Sequence, residues 1–244
     1  FRKFVEKGGH LYLSGSISPK LLDAVFGIRI VGETQETITY VAPTGEGIAL
    51  LPHVSPKYPL TVFDSLPLAE TGDDAEVLAQ IVLPGSDPQS AEPFVSIHSN
   101  PPVKMTEHPA LVKKAFGAGQ IVWSAASLEA AEQPPHQLAF ERIIKAQLKR
   151  PVAFATNAHP SVELVLFDQP DRSRSLLSLV NTQEALPPIP VAGIEVSVAL
   201  RGKRPVSVVR LPDRQPIAFR TEGDAVVFMT DLQGMFEMIA IETK

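Results

Sequence analysis

The 244-residue sequence has no cysteine, which excludes disulfides, thiolate metal sites and a cysteine nucleophile together. It has a single tryptophan, and no apolar run approaches the roughly 20 residues a membrane-spanning helix needs. It also lacks a basic stripe: 13 basic residues stand against 16 acidic ones up to Arg150, and 9 against 11 beyond it. A nucleic-acid surface displaces counterions with clustered Lys and Arg, so neither nucleic acid nor membrane is an expected partner. No cationic leader followed by a short apolar stretch is present either. That favours a cytoplasmic setting without fixing the compartment.

What remains reads as globular. Hydrophobic residues make up 44% and charged residues 20%, too apolar for a disordered chain. The length allows one large domain or two ordinary ones, each with its own core. Proline, at 23 residues, is about twice its usual ~5% and falls between apolar runs. Many short strands joined by rigid turns are therefore expected.

The first segment, Phe1 to Gly9, puts Phe1, Phe4 and Val5 at helical spacing with Gly8-Gly9 as a stop. A domain rarely opens on the last two turns of a helix, so the chain is expected to be cut from a longer one. His10–Ser14 reads as a strand. The next helix is expected to take Ser18 as N-cap and Pro19 at its first position, with Gly27 closing it. Helix, strand, loop, helix is the order of an α/β layer with a parallel strand. Strand-like runs follow at Glu36–Val41, Leu60–Phe63, Val77–Leu83 and Phe94–Ile97. Ala110–Phe116 and Gln120–Ala125 are expected to form a hairpin around a three-residue loop, Gly117-Ala-Gly119. His136–Arg150 reads as a helix with Phe140, Ile143, Ile144 and Leu148 on one stripe.

From Pro151 the texture changes. Val162–Phe167, Ser175–Asn181, Ile194–Leu200, Val206–Leu211, Ile217–Arg220, Ala225–Met229 and Met235–Ile241 are short candidate strands separated by turn signals. This spacing without a long helix predicts an antiparallel sandwich. The expected organisation is thus an α/β domain over residues 1–150, a partial flavodoxin- or amidotransferase-like open sheet, and an all-β sandwich over 151–244.

Several phrases together resemble one known arrangement. Phe4-Val-Glu-Lys-Gly-Gly-His-Leu-Tyr-Leu-Ser, Leu21–Ile28 ending Phe-Gly-Ile, His108-Pro-Ala-Leu-Val, and Phe116-Gly-Ala-Gly-Gln-Ile-Val-Trp resemble an amidotransferase-like domain. That domain follows the catalytic barrel in family forty-two β-galactosidases and related glycosidases, where it is called the trimerisation domain. Leu176–Asn181, Pro187-Pro-Ile-Pro-Val, Leu211-Pro-Asp and Phe236-Glu-Met-Ile-Ala-Ile-Glu resemble the C-terminal β-domain of the same enzymes. The resemblance implies a non-catalytic accessory or oligomerisation region. Its partners would be an upstream barrel of the same chain and further copies through the α/β domain, with no cofactor. It also places earlier βα units and the barrel before Phe1. Two other readings compete: a carbohydrate-binding sandwich with an attached α/β domain, and a small free-standing α/β enzyme.

No catalytic, cofactor-binding or metal-binding residue is assigned. Glycoside hydrolysis needs two carboxyl groups flanking the scissile bond. Asp73-Asp74-Ala-Glu76 and Glu129-x-x-Glu132 are the densest acidic groups, but each sits by a turn where acids are ordinarily solvated. The six histidines (10, 53, 98, 108, 136 and 159) show no metal-ligand spacing. Pro134-Pro135 are read as interrupting any helix joining Glu129, Glu132 and His136. Ser14-Gly-Ser-Ile-Ser18 follows a strand, where open sheets bind anions, but lacks the glycine fingerprint and reads as a capped helix start. Trp123 is the one residue singled out for a sugar or interface contact; it shares a face with Ile121 and Ala125, which also suits a core position. The sandwich phenylalanines 154, 167, 219, 228 and 236 lack a polar handle and read mostly as core.

Overall fold

The structure, a computed structural model, describes residues 1–85 and 100–244. The strand expected over Phe94–Ile97, and His98, lie outside the described residues. Two compact units are present, Phe1–Leu148 and Lys149–Lys244.

The first unit runs α1 (Arg2–Glu6), β1 (His10–Ser14), α2 (Pro19–Leu21), β2 (Ile28–Glu33), β3 (Thr39–Pro43), α3 (Glu46–Leu50), β4 (Leu60–Val62) and β5 (Pro67–Thr71). It continues with β6 (Ala75–Pro84), β7 (Pro102–Phe116), β8 (Gly119–Ser124) and α4 (Pro134–Gln147). Among the described residues six strands form one sheet in the order β1-β8-β7-β6-β3-β4, and β2 pairs separately with β5. The β1–β8 pair is parallel and the other pairs are antiparallel. The α/β unit is therefore a mixed open sheet with few helices. Its core gathers Trp123, Phe26, Leu22, Ile81, Leu111 and Ile121.

Local chemistry explains where the elements start and stop. The β7–β8 hairpin turns on two residues, not three: Phe116 pairs with Gly119, and Gly117 takes φ +61°, which favours glycine. Ser18 does not cap α2 with its side chain, because at φ 32° and ψ 85° it lies outside the extended conformation of an N-cap residue. Pro19 opens that helix, which widens into a π-helical turn over Leu22–Phe26 and closes at Gly27, φ 64°. Leu22 and Phe26, the two ends of that turn, are both buried.

Helix α4 departs from the expected pattern at both ends. It starts at Pro134 and Pro135, which open it because their missing N–H groups would lack a helical partner there. Its buried face is His136, Ala139, Ile143 and Gln147, while Leu148 lies past the last turn and is exposed. Two polar residues lie on the inner face. His136 Nε2 donates to the Thr61 carbonyl at 2.7 Å, and the backbone carbonyl of Gln147 accepts from His10 Nδ1 at 2.6 Å, while Gln147 Oε1 is buried without a partner among the described residues.

The second unit contains β9 (Phe154–Thr156), β10 (Val162–Gln169), β11 (Arg174–Asn181), β12 (Val191–Ala199) and β13 (Pro205–Leu211). After these come β14 (Gln215–Pro216), β15 (Phe219–Glu222), β16 (Ala225–Leu232) and β17 (Phe236–Thr243). They form two antiparallel sheets, β10-β11-β17-β13-β14 and β15-β16-β12-β9. Of the run Ile217–Arg220, expected as one strand, only Phe219 and Arg220 are extended, in β15; Ile217 and Ala218 connect β14 in the first sheet to β15 in the second, so the chain changes sheets there.

Alternation along paired strands gives each sheet two faces. Leu177, Leu179, Val208, Ile239 and Ile241 point inward with Ile194, Val196 and Phe228 of the facing sheet. The outer faces differ sharply. On the four-stranded sheet Arg220 pairs with Glu195 at 3.1 Å and Glu222 at 2.6 Å. On the five-stranded sheet the outward positions include Val165, Phe167, Leu176, Val180, Phe236 and Met238, with Phe167 60% and Phe236 56% exposed.

Glu242, near the end of β17, receives hydrogen bonds from Ser207 Oγ and Arg214 Nη2, each at 2.6 Å. The Ser207 hydroxyl first, and Arg214 second, hold its carboxyl below the ordinary glutamate range. The folded state therefore binds this proton less readily than the unfolded chain. The resulting stability is present above the unfolded pKa and is lost as pH falls through the lower folded pKa. In a carboxyl NMR titration Ser207→Ala and Arg214→Ala are each expected to raise the Glu242 midpoint; an unmoved midpoint in both would refute the assignment.

Candidate functional site

Because β1 and β8 run parallel, the loops that follow them leave the same end of the sheet. In open α/β sheets that end is where ligands are taken. Gly15 and Ser16 after β1, and Ala125 to Leu128 after β8, form one wall of a crevice of about 480 Å³. The start of α4 contributes Gln133 and His136, and the other wall is Thr61 to Pro67 with Glu33 from β2. β1 and β4 stand at opposite ends of the strand order, yet segments following both line this space. The β6–β7 ladder shifts register repeatedly between Val77 and Pro84, and bulges of this kind bend and twist a sheet.

Hydrogen bonds hold the walls. The Trp123 indole N–H donates to the Gly15 carbonyl at 3.0 Å, and Ser124 Oγ donates to the Ala126 carbonyl at 2.7 Å. Thr39 Oγ1 donates to the Asp64 carbonyl at 3.0 Å, and Ser65 links Glu33 to Asp64. Its hydroxyl donates to Glu33 Oε1 at 2.6 Å, and its backbone N–H donates to Asp64 Oδ1 at 2.9 Å. The His136–Thr61 bond fixes the tautomer: a carbonyl can only accept, so Nε2 carries the proton. Nδ1 is then an acceptor, buried without a partner among the described residues.

The residues singled out from the sequence are placed as follows. Trp123 is fully buried and offers no ring face to solvent. Asp74 pairs with Lys114 at 2.9 Å and Glu76 with Lys113 at 2.6 Å. Glu129 accepts hydrogen bonds from Ser14 Oγ and, at 3.0 Å, from Tyr12, tying the turn after β8 to β1. Burial first, then the charge of Glu129 and the hydrogen bond it accepts, push the Tyr12 phenol above its ordinary range, so it remains a donor. His53 and His108 bond the carbonyls of Pro135 and Ala69, and His159 bonds Ser161. Among the described residues no three metal-ligating side chains come together.

The Ser14–Ser18 loop does border the crevice, but not as an anion site. The Gly15 N–H donates to the Ser124 carbonyl at 2.8 Å, Pro19 has no N–H to offer at the start of α2, and the N–H groups of Leu21 and Leu22 already donate to the Ser18 carbonyl. The lining residues that sequence reading missed are Glu33, Phe63, Asp64 and Ser65. They come from the end of β2 and the segment after β4, and no local motif marks them.

The architecture is thus an α/β open-sheet unit followed by an antiparallel β-sandwich. Known structures share it over nearly the whole chain. An α-L-fucosidase isoenzyme 2 from Paenibacillus thiaminolyticus is similar with a TM-score of 0.73 and 18% identity, over 99% of this chain and 38% of that one. A GH42 β-galactosidase from G. stearothermophilus is similar with a TM-score of 0.57 and 12% identity, over 100% of this chain and 29% of that one. For a β-galactosidase from Rahnella sp. R3 the values are 0.54 and 17%, over 100% of this chain and 30% of that one. The chain therefore spans between 29% and 38% of the length of these three proteins. No family model and no curated protein matches the sequence.

Proposed function

We propose that this chain is a non-catalytic accessory region of a glycoside hydrolase, one that organises subunits and braces a catalytic barrel carried elsewhere. The observation that carries the reading is the similarity of both units, in one order, to part of an α-L-fucosidase over 99% of the chain. In this reading the α/β unit joins copies of the enzyme, and the sandwich packs on the remainder of it. The apolar outer face of the five-stranded sheet supports packing. Contiguous apolar surface of that kind commonly marks a contact with protein.

A carbohydrate-binding sandwich is the second reading, because Phe167 and Phe236 are exposed on that same face. Sugar platforms need hydrogen-bonding groups beside the ring. The immediate neighbours are mostly apolar, Val165, Leu176, Val180 and Met238 with Ser178 buried between them, and the polar groups of this face, Glu163, Arg174 and Glu242, stand towards its two ends, so the packing reading is favoured. Purified chain is expected to leave aryl galactosides and aryl fucosides unhydrolysed and to self-associate with rising concentration in sedimentation velocity. Turnover of either substrate would overturn the accessory role, and a strictly monomeric chain would overturn the subunit-organising part of it.

A further inference from the structure

We propose that the crevice at the ends of β1 and β8 binds a neutral, hydroxyl-rich small molecule of monosaccharide size. This goes beyond the packing role above and does not depend on it. The volume, about 480 Å³, lies within the roughly 300–1,000 Å³ of small-molecule sites. The lining chemistry then narrows the occupant.

An anion is disfavoured. No Lys or Arg lines the space, Glu33 and Asp64 do, and the prolines at the start of α4 remove the donors that a helix end would present. A tightly held cation is disfavoured too, because two carboxylates without a third ligating side chain fall short of the oxygen shell that hard cations take. A purely apolar ligand would strip water from both carboxylates and leave them unpaired, which is costly.

A polyhydroxylated ring meets none of these objections. Its hydroxyls can donate to Glu33 and Asp64, each of which keeps one oxygen unengaged by the Ser65 bonds. The side chains of Ser16, Ser127 and Gln133 add donors and acceptors that no other described residue engages. Phe63, 70% exposed at the rim, provides an apolar face for the C–H side of the ring. Four small residues in the lining, Ala125, Ala126, Ala130 and Ala131, leave the room.

The chain carries its own reporter. Trp123, the sole tryptophan, donates to the carbonyl of Gly15, a residue of the crevice wall. Titration of the full chain with D-galactose, L-fucose, D-glucose and D-mannose is expected to give a saturable change in tryptophan fluorescence for at least one sugar, with millimolar affinity. Asp64→Asn should weaken that binding about tenfold, the size of one lost charge-assisted contact, and Phe63→Ala by about the same factor through the lost apolar face. Inorganic phosphate and calcium should give no saturable change. Both substituted residues are exposed, so circular dichroism should stay unchanged; if Asp64→Asn misfolds, Phe63→Ala decides alone. The proposal is overturned by saturation with phosphate or calcium only, by sugar binding that both variants leave intact, or by no response to any of the four sugars. None of those outcomes touches the accessory role, which turns on turnover and self-association.

Discussion

Gly47→Ala is expected to destabilise the α/β unit by about 3 kcal/mol or more, read as a lower denaturant midpoint for amide signals of residues 1–148. Gly47 lies in α3 against the backbone of β6, an inner strand of the sheet. A Cβ there would sit 1.7 Å from the Leu78 carbonyl oxygen and 2.6 Å from its carbon. Neither is the movable end of a side chain. The same oxygen accepts a hydrogen bond from the Thr44 N–H at 2.9 Å, so relieving the overlap means displacing α3 or giving up that bond. Against this stands about 1 kcal/mol that alanine gains over glycine in a helix, too little to offset the clash. Gly234 supplies the contrast, since a Cβ there meets nothing within 4 Å. Gly234→Ala should shift stability by no more than about 0.5 kcal/mol. Equal effects at the two positions would sink the argument.

Trp123→Ala is expected to cost about 3–5 kcal/mol, the usual range for removing a fully buried tryptophan. The side chain is fully buried on β8, and its loss leaves a cavity as well as an unpaired carbonyl at Gly15. Trp123→Phe keeps most of the packing and loses the indole N–H, so it should cost less, about 1–3 kcal/mol. Urea unfolding followed by circular dichroism separates the two. A neutral Trp123→Ala would mean that the ring is not part of the core.

Much of the fold could be read ahead of the structure, for a physical reason. Strands buried on one face alternate at a period of two, and proline or glycine punctuates them. Hence six of the seven segments read as strands between Val162 and Ile241 fall on strands, Ile217–Arg220 being the exception. The errors lie where one residue type has two uses. Pro134-Pro135 do separate Glu129 and Glu132 from the helix that carries His136, but the same prolines also start that helix two residues before its expected beginning at His136. The α4 stripe was misplaced because His136 and Gln147, polar by type, are buried on its core face. The run Ile217–Arg220 looked continuous because a change of sheet leaves no mark in hydrophobicity. The crevice was illegible for a deeper reason. Glu33 and Asp64 are 31 positions apart and meet through Ser65. Gly15 belongs to the same space through the parallel β1–β8 pair, while the β6–β7 ladder between the sheet's ends shifts register repeatedly. Pairing of distant strands, not local pattern, assembled the site.

The two outer faces of the sandwich make it a two-sided particle. One side carries the ion pairs of Arg220 with Glu195 and Glu222; the other carries aliphatic and aromatic side chains from Val165 to Met238, with the Arg214–Glu242 pair at one end. Added electrolyte acts on them in opposite senses: it screens the first and, for strongly excluded salts such as sulfate, drives the second out of water. Contacts made through the first side are therefore expected to weaken as salt rises, and contacts made through the second to strengthen.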